Sequence, residues 1–149
     1  MRGLLTPFLA AAAVVSSLGA APATAPEPPP VTLMVGDSDT MGLVYTDLDG
    51  HTVYRYDPEG TTGTVRCTGR CTNTRKPLLA RPGTELRLPP GLVGTLGTVS
   101  RPDGGRQVTY DGSPLYTFTG DTQPADSVGV DLDWHVVRPR EALVTARRS

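Results

Sequence analysis

The stretch Asp49-Gly50-His51-Thr52-Val53-Tyr54-Arg55-Tyr56 returns 62 positions later as Asp111-Gly112-Ser113-Pro114-Leu115-Tyr116-Thr117-Phe118. Both copies have the form D-G-x-x-aliphatic-Y-x-aromatic. Asp-Gly supplies the positive φ angles that a tight hairpin turn demands. The residues that follow read as strand: with period two, Tyr54 and Tyr56 share one face and Val53 and Arg55 the other, just as Tyr116 and Phe118 oppose Leu115 and Thr117. Upstream, Leu43-Val44-Tyr45-Thr46 pairs with Gln107-Val108-Thr109-Tyr110 once the first turn is allowed two extra residues. A lone hairpin cannot bury its apolar face, so two copies packed over a shared interior are the simple physical solution. The predicted fold is all-β, a small pseudo-symmetric sandwich or barrel built from two hairpin repeats, about 42–78 and 97–139.

Working outward, apolar residues from position 31 onward come in short runs punctuated by turn residues, which is a strand pattern and not a helical one. Strands are predicted over 32–35, 42–46, 52–56, 92–100, 106–110, 113–118 and 134–137, with hairpin turns at Asp49-Gly50, Asp103-Gly104 and Asp111-Gly112. A length of 149 residues with 17 glycines and 15 prolines describes one loop-rich domain, placed at 31–139. Fourteen Lys and Arg against 15 Asp and Glu leave a net charge of −1, without the phosphate-neutralising excess that nucleic-acid binders use. No nucleic-acid partner is expected.

The N-terminus reads as an export signal over 1–25: Arg2, an apolar stretch over 4–15, then small residues. That stretch falls short of the roughly 20 residues a membrane span needs, and none like it follows, so no transmembrane segment is expected in the mature chain. No cysteine precedes Cys67, which leaves no thiol to accept a lipid at the signal's end. Release to the cell envelope or the extracellular space is the expected localisation. A stiff Pro-rich leader follows at 26–30, and a tail at 140–149 carries Arg147-Arg148.

Tyr116-Thr117-Phe118-Thr119-Gly120-Asp121 resembles the Y-x-[FWY]-x-x-D signature of a bacterial secreted repeat and predicted lipoprotein family of unknown function. The first copy, Tyr54-Arg55-Tyr56-Asp57-Pro58-Glu59, has Glu59 at the acidic position. Members of that family carry C-x-G-x-C ahead of W-P-P-L; Cys67-Thr68-Gly69-Arg70-Cys71 matches the former, while Arg75-Lys76-Pro77-Leu78 lacks the tryptophan. The segment 97–104 and the closing element ending in Trp134-His135-Val136-Val137 also fit. The resemblance covers about 42–139. It implies a fold and an envelope location, and it supplies no known reaction. The missing lipid-acceptor cysteine departs from the lipoprotein members.

Several residues invite a chemical reading. Cys67 and Cys71 in an exported chain are expected to form a structural disulfide, a local staple gaining about 2 kcal/mol; the alternatives are a redox pair, or a metal set with His51 and His135. Tyr54, Tyr56, Tyr116, Phe118 and Trp134 are expected to shape the core, with an aromatic platform for a glycan or cofactor as the alternative. Glu59 and Asp121 occupy matching positions and are expected to accept backbone hydrogen bonds after each aromatic strand; paired carboxyls for glycoside hydrolysis are the alternative. The D-x-D pairs Asp37/Asp39, Asp47/Asp49 and Asp131/Asp133 read as turn formers, with calcium as the alternative. His51 and His135 are the only candidate bases, and neither Ser100 nor Ser113 sits in a nucleophile elbow. The sequence thus points to a non-catalytic binding or structural module for an unknown envelope or extracellular ligand, with no cofactor, metal or catalytic residue assigned. A metal- or cofactor-linked redox protein is the alternative.

Overall fold

A computed structural model describes residues 3, 19–22 and 32–142. The leader at 26–30, nearly all of the signal segment, and the end of the tail with Arg147-Arg148 lie outside the described residues. The described residues form eight strands: β1 Met34–Ser38, β2 Gly42–Thr46, β3 Tyr54–Tyr56, β4 Arg75–Pro77, β5 Leu96–Ser100, β6 Arg106–Tyr110, β7 Ser113–Phe118 and β8 Trp134–Val136. Among the described residues the helical pieces are two short 3-10 turns, Asp57–Glu59 and Gly69–Asn73. The fold is all-β, as the periodicity predicts.

All strand pairs are antiparallel. β1 and β2 make a two-stranded sheet, and the other six form a sheet in the order β5-β6-β7-β3-β8, with β4 also on β7. The ladder stays open, so the barrel alternative is corrected: among the described residues β5 ends the path, paired to β6 alone.

The two repeats are forks completed by each other. β2 and β3 meet at the Thr46–Thr52 bridge and then part to admit the β8 segment, through Tyr45 N–H to Val137 O at 2.8 Å and Val137 N–H to Val53 O at 2.9 Å. β6 and β7 pair through Thr109 and Pro114 and then part for the β4 segment, through Val108 N–H to Leu78 O at 2.8 Å and Leu78 N–H to Leu115 O at 2.9 Å. The registers correspond: Tyr54 opposes Val136 and Tyr56 opposes Trp134, where Tyr116 opposes Pro77 and Phe118 opposes Arg75. β4 follows the first copy and completes the second; β8 follows the second and completes the first. Tyr54 and Tyr116, equivalent residues, are themselves cross-strand partners, which places the pseudo-two-fold axis between them.

β4 was not among the predicted strands, because Pro77 lacks a ladder N–H and reads as a breaker; the open fork of β6 and β7 imposes the extended form. The strand predicted over 92–100 begins only at Leu96, after Gly94 at φ +144°, against which the Tyr110 ring packs. The one predicted over 32–35 moves to Met34–Ser38, joined to β2 by a turn at 39–41 that contains no Asp-Gly.

Asp111 at φ +48° and Gly112 at φ +84° are both left-handed, as a type I′ turn requires. The turn also lies flat against the preceding loop, where Gly63 N–H donates to Gly112 O at 2.9 Å. A Cβ at position 112 would overlap the Thr61 carbonyl oxygen. Gly112→Ala is therefore expected to lose about 2–4 kcal/mol in urea unfolding, from strain plus a backbone clash. Gly104→Ala, at φ +101° with open space around it, is expected to lose only the conformational part, about 1 kcal/mol.

Both faces of the central sheet are buried. Leu33, Tyr45, Val53, Val108, Tyr110, Leu115 and Val137 pack together on one side. Val44, Tyr54, Cys67, Tyr116, Ala125, Trp134 and Val136 pack on the other. Residues of both repeats contribute to each cluster, so the copies share their interior.

Candidate functional site

The pseudo-two-fold axis brings the repeat motif into contact with itself. The Tyr54 hydroxyl donates to Asp121 Oδ2 at 2.7 Å, and the Tyr116 hydroxyl donates to Glu59 Oε1 at 2.7 Å. Each motif tyrosine thus binds the motif acid of the other copy. Glu59 Oε1 also accepts Arg66 N–H at 2.7 Å and Cys67 N–H at 3.0 Å. Asp121 Oδ1 accepts Val128 N–H at 3.1 Å, and Gly129 N–H donates to Tyr54 Oη at 3.2 Å. Positions 66 and 67 correspond to 128 and 129 by the same repeat offset. Both acids accept backbone donors, as the turn reading expects; the tyrosine partner comes from across the axis.

Two arginines close the arrangement. Arg75 Nη2 donates to Gly129 O at 2.7 Å, and Arg101 Nη2 donates to Cys67 O at 2.8 Å. These carbonyls again occupy equivalent places. Burial pushes the Tyr54 and Tyr116 phenols well above their ordinary range, reinforced by their hydrogen bonds to Asp121 and Glu59. Burial likewise raises the Asp121 carboxyl, against the opposing pull of its Tyr54 and Val128 donors.

The five aromatic residues singled out in the sequence do come together. Tyr54 and Tyr116 are fully buried, Trp134 is buried, and Tyr56 and Phe118 are half-buried. Tyr56 stacks on Trp134 with ring centres 4.6 Å apart, and Trp134 meets Tyr116 edge-on at 5.1 Å. The chain fills this platform itself: the Arg75 guanidinium lies 4.2 Å from the Phe118 ring centre and 4.4 Å from that of Trp134. Arg75 stands opposite Phe118 as Trp134 stands opposite Tyr56, so the arginine takes the strand position equivalent to a tryptophan.

Cys67 and Cys71 form a disulfide with Cα atoms 5.3 Å apart. It fastens the loop whose N–H groups bind Glu59. The metal set of Cys67, Cys71, His51 and His135 is not assembled: the sulfurs are bonded to each other, His51 Nδ1 lies 3.2 Å from Asp47 Oδ2, and His135 Nε2 lies 3.0 Å from Asp57 Oδ2. Asp47, Asp49 and His51 instead gather with potential ligand atoms within 4.8 Å of one another. Asp47 also acts as a turn former, accepting Asp49 N–H at 3.0 Å and His51 N–H at 2.9 Å. Asp131 does the same for Asp133 and Trp134 while pairing with Arg75 at 3.3 Å. The Ser113 hydroxyl donates to Gly60 O at 2.9 Å.

Fold and site together define a class: an all-β two-repeat domain in which the signature tyrosines and acids hold the repeats to each other. Within it, residues 97–138 match a family described as a secreted repeat of unknown function, and the matched stretch runs from β5 through β8 with the complete second motif. No curated protein and no solved structure matches the chain. The matched family is secreted, and no helix among the described residues is long and apolar enough to cross a membrane.

Proposed function

We propose that this protein is an exported, non-catalytic module that binds or scaffolds a ligand in the cell envelope or outside the cell. The observation that carries this reading is the reciprocal tyrosine–acid pairing. Glu59 and Asp121, the acids at the two motif positions, are 3% and 5% exposed and serve as hydrogen-bond acceptors inside the fold. The motif thereby acts as a folding code, and recognition falls to the surface. The closed Cys67–Cys71 bridge suits an oxidising compartment, and the signal segment at 1–25 would deliver the chain there.

A metal-linked role is the second reading, favoured by the gathering of Asp47, Asp49 and His51, whose imidazole and carboxylates suit a divalent transition ion. One experiment separates the two: fractionation of cells producing the full chain, followed by native mass spectrometry and thiol alkylation. The expected result is protein in the envelope or medium, with both cysteines resistant to alkylation until reduced and no bound ion. Cytoplasmic protein with two alkylatable thiols overturns the first reading. A stoichiometric divalent ion lost in His51→Ala transfers the assignment to the second.

A further inference from the structure

A groove of about 680 Å³ opens beside β3 and β8, lined by Arg55, His135, Arg138 and Arg140 together with Tyr110 and Ser113. Arg55 and His135 are direct cross-strand partners. Arg138 is tethered through Nη1 to the Met41 carbonyl. Arg140 is held by Nε to Tyr110 Oη at 3.3 Å, by Nη2 to Asp111, and by the Tyr110 ring 5.6 Å from its guanidinium carbon. These contacts hold the Arg138 and Arg140 guanidinium groups, which reduces the ordering a ligand must impose. Among the described residues they also leave most donors without a partner. Each guanidinium carries five N–H groups; hydrogen bonds among the described residues use one on Arg138 and two on Arg140. Arg55 approaches Asp57 only at 3.7 Å, beyond hydrogen-bond length.

Acids are present as well: Asp111 lines the groove, and Asp57 pairs with both Arg55 and His135. Three arginines still outnumber two aspartates, in a chain whose net charge is −1. The pseudo-two-fold supplies an internal comparison. The positions equivalent to Arg55, His135, Arg138 and Arg140 are Thr117, Lys76, Leu79 and Arg81, by the register that matches Val137 with Leu78. The same backbone is thus built in the other half with one arginine and one lysine in place of three arginines and a histidine, so the three-arginine lining is not a requirement of the fold.

We infer that this groove binds an anionic oxygen ligand, a carboxylate or a phosphate, on the arginine forks of β3 and the chain following β8. Guanidinium groups match both anions through paired N–H···O bonds. The inference rests on the binding-module reading and gives that module a ligand class.

The test is titration of the full, disulfide-closed chain, followed by amide NMR shifts, with sodium pyrophosphate, with citrate and with neutral maltose. Saturable shifts at groove residues are expected with at least one anion and not with maltose. Arg55→Gln and Arg138→Gln are each expected to weaken that binding about tenfold, equivalent to about 1.4 kcal/mol, while Lys76→Gln at the symmetric position leaves it unchanged. Pyrophosphate alone would indicate a phosphate-bearing source, citrate alone a carboxylate-bearing one, and either sustains the inference. It is overturned if neither anion binds, if maltose binds as well as the anions, or if binding survives in the Arg55→Gln/Arg138→Gln double variant. Such a failure leaves the export reading standing, because fractionation decides that separately; cytoplasmic protein that still binds anions would reverse the outcome.

Discussion

Glu59→Ala is expected to remove about 4 kcal/mol of folding stability, a large share of the roughly 5–15 kcal/mol that holds an ordinary domain. Three donors converge on Glu59 Oε1: Arg66 N–H, Cys67 N–H and the Tyr116 hydroxyl. The carboxyl is 3% exposed, so water cannot readily replace it, and each buried group left without a partner costs about 1–3 kcal/mol. Glu59→Gln separates shape from acidity. It keeps an oxygen for all three donors and places its amide nitrogen where Oε2 has no partner, so a loss of about 1 kcal/mol is expected. Asp121→Ala should fall between, at about 3 kcal/mol, because it strands two donors, the Tyr54 hydroxyl and Val128 N–H. Urea unfolding of the four proteins, wild type included, checks both the magnitudes and the order. A Glu59→Ala change under about 1 kcal/mol would mean that the motif does not hold the repeats together.

The same residues show which parts of the structure were legible in the sequence. Asp111-Gly112 was legible because a left-handed pair is a local demand that few dipeptides meet, and the flanking strands β6 and β7 occupy their predicted ranges. The core role of Tyr54 and Tyr116 followed from period two. The positions of Glu59 and Asp121 after each aromatic strand gave their backbone partners, which are local. Their tyrosine partners are not local: no spacing within one copy tells which copy a side chain crosses to reach. β4 was hidden for a related reason, since its strand state comes from the fork that receives it. Leu78 and Val137, both aliphatic and both following an aromatic strand, stand 59 positions apart and not 62, so the repeat offset alone does not pair them. Arg75 and Arg101 were missed altogether. The available signal for Arg75 was its place where the resembling family carries tryptophan, a substitution that the aromatic neighbours Phe118 and Trp134 accommodate. His51 was grouped by ligand type with the distant cysteines, whereas the turn places it with Asp47 and Asp49, its neighbours in sequence.

Above about pH 10 the domain is expected to unfold cooperatively, with phenolate formation accompanying the loss of sheet structure. Tyr45, Tyr54 and Tyr116 are all fully buried. Burial is the main force raising each phenol well above its ordinary range, aided by Tyr110 for Tyr45, by Asp121 for Tyr54 and by Glu59 for Tyr116. A group whose folded pKa lies above its unfolded value binds its proton more tightly in the native state. Its contribution to stability is therefore complete below the unfolded value and is lost as pH rises toward the folded one. Each such tyrosine removes about 1.4 kcal/mol per pH unit in that interval. Three together remove about 8 kcal/mol over two units, comparable to the whole stability of a domain at about 5–15 kcal/mol. The acid side differs because its groups oppose one another. Asp126, held low by the Gln123 and Thr122 N–H groups, and Asp103, held low by Arg101, lose their stabilisation as pH falls through their depressed values. Asp121, raised by burial, acts oppositely: its ionisation weakens the fold as pH rises through the acid range, so acid restores that part of the stability. Parallel pH titrations of phenolate absorbance and far-ultraviolet circular dichroism check the alkaline transition, and Tyr54→Phe/Tyr116→Phe should make it less steep. Complete phenolate formation near pH 10 with the sheet signal intact would show that these tyrosines ionise freely and that the paired motif is open to solvent.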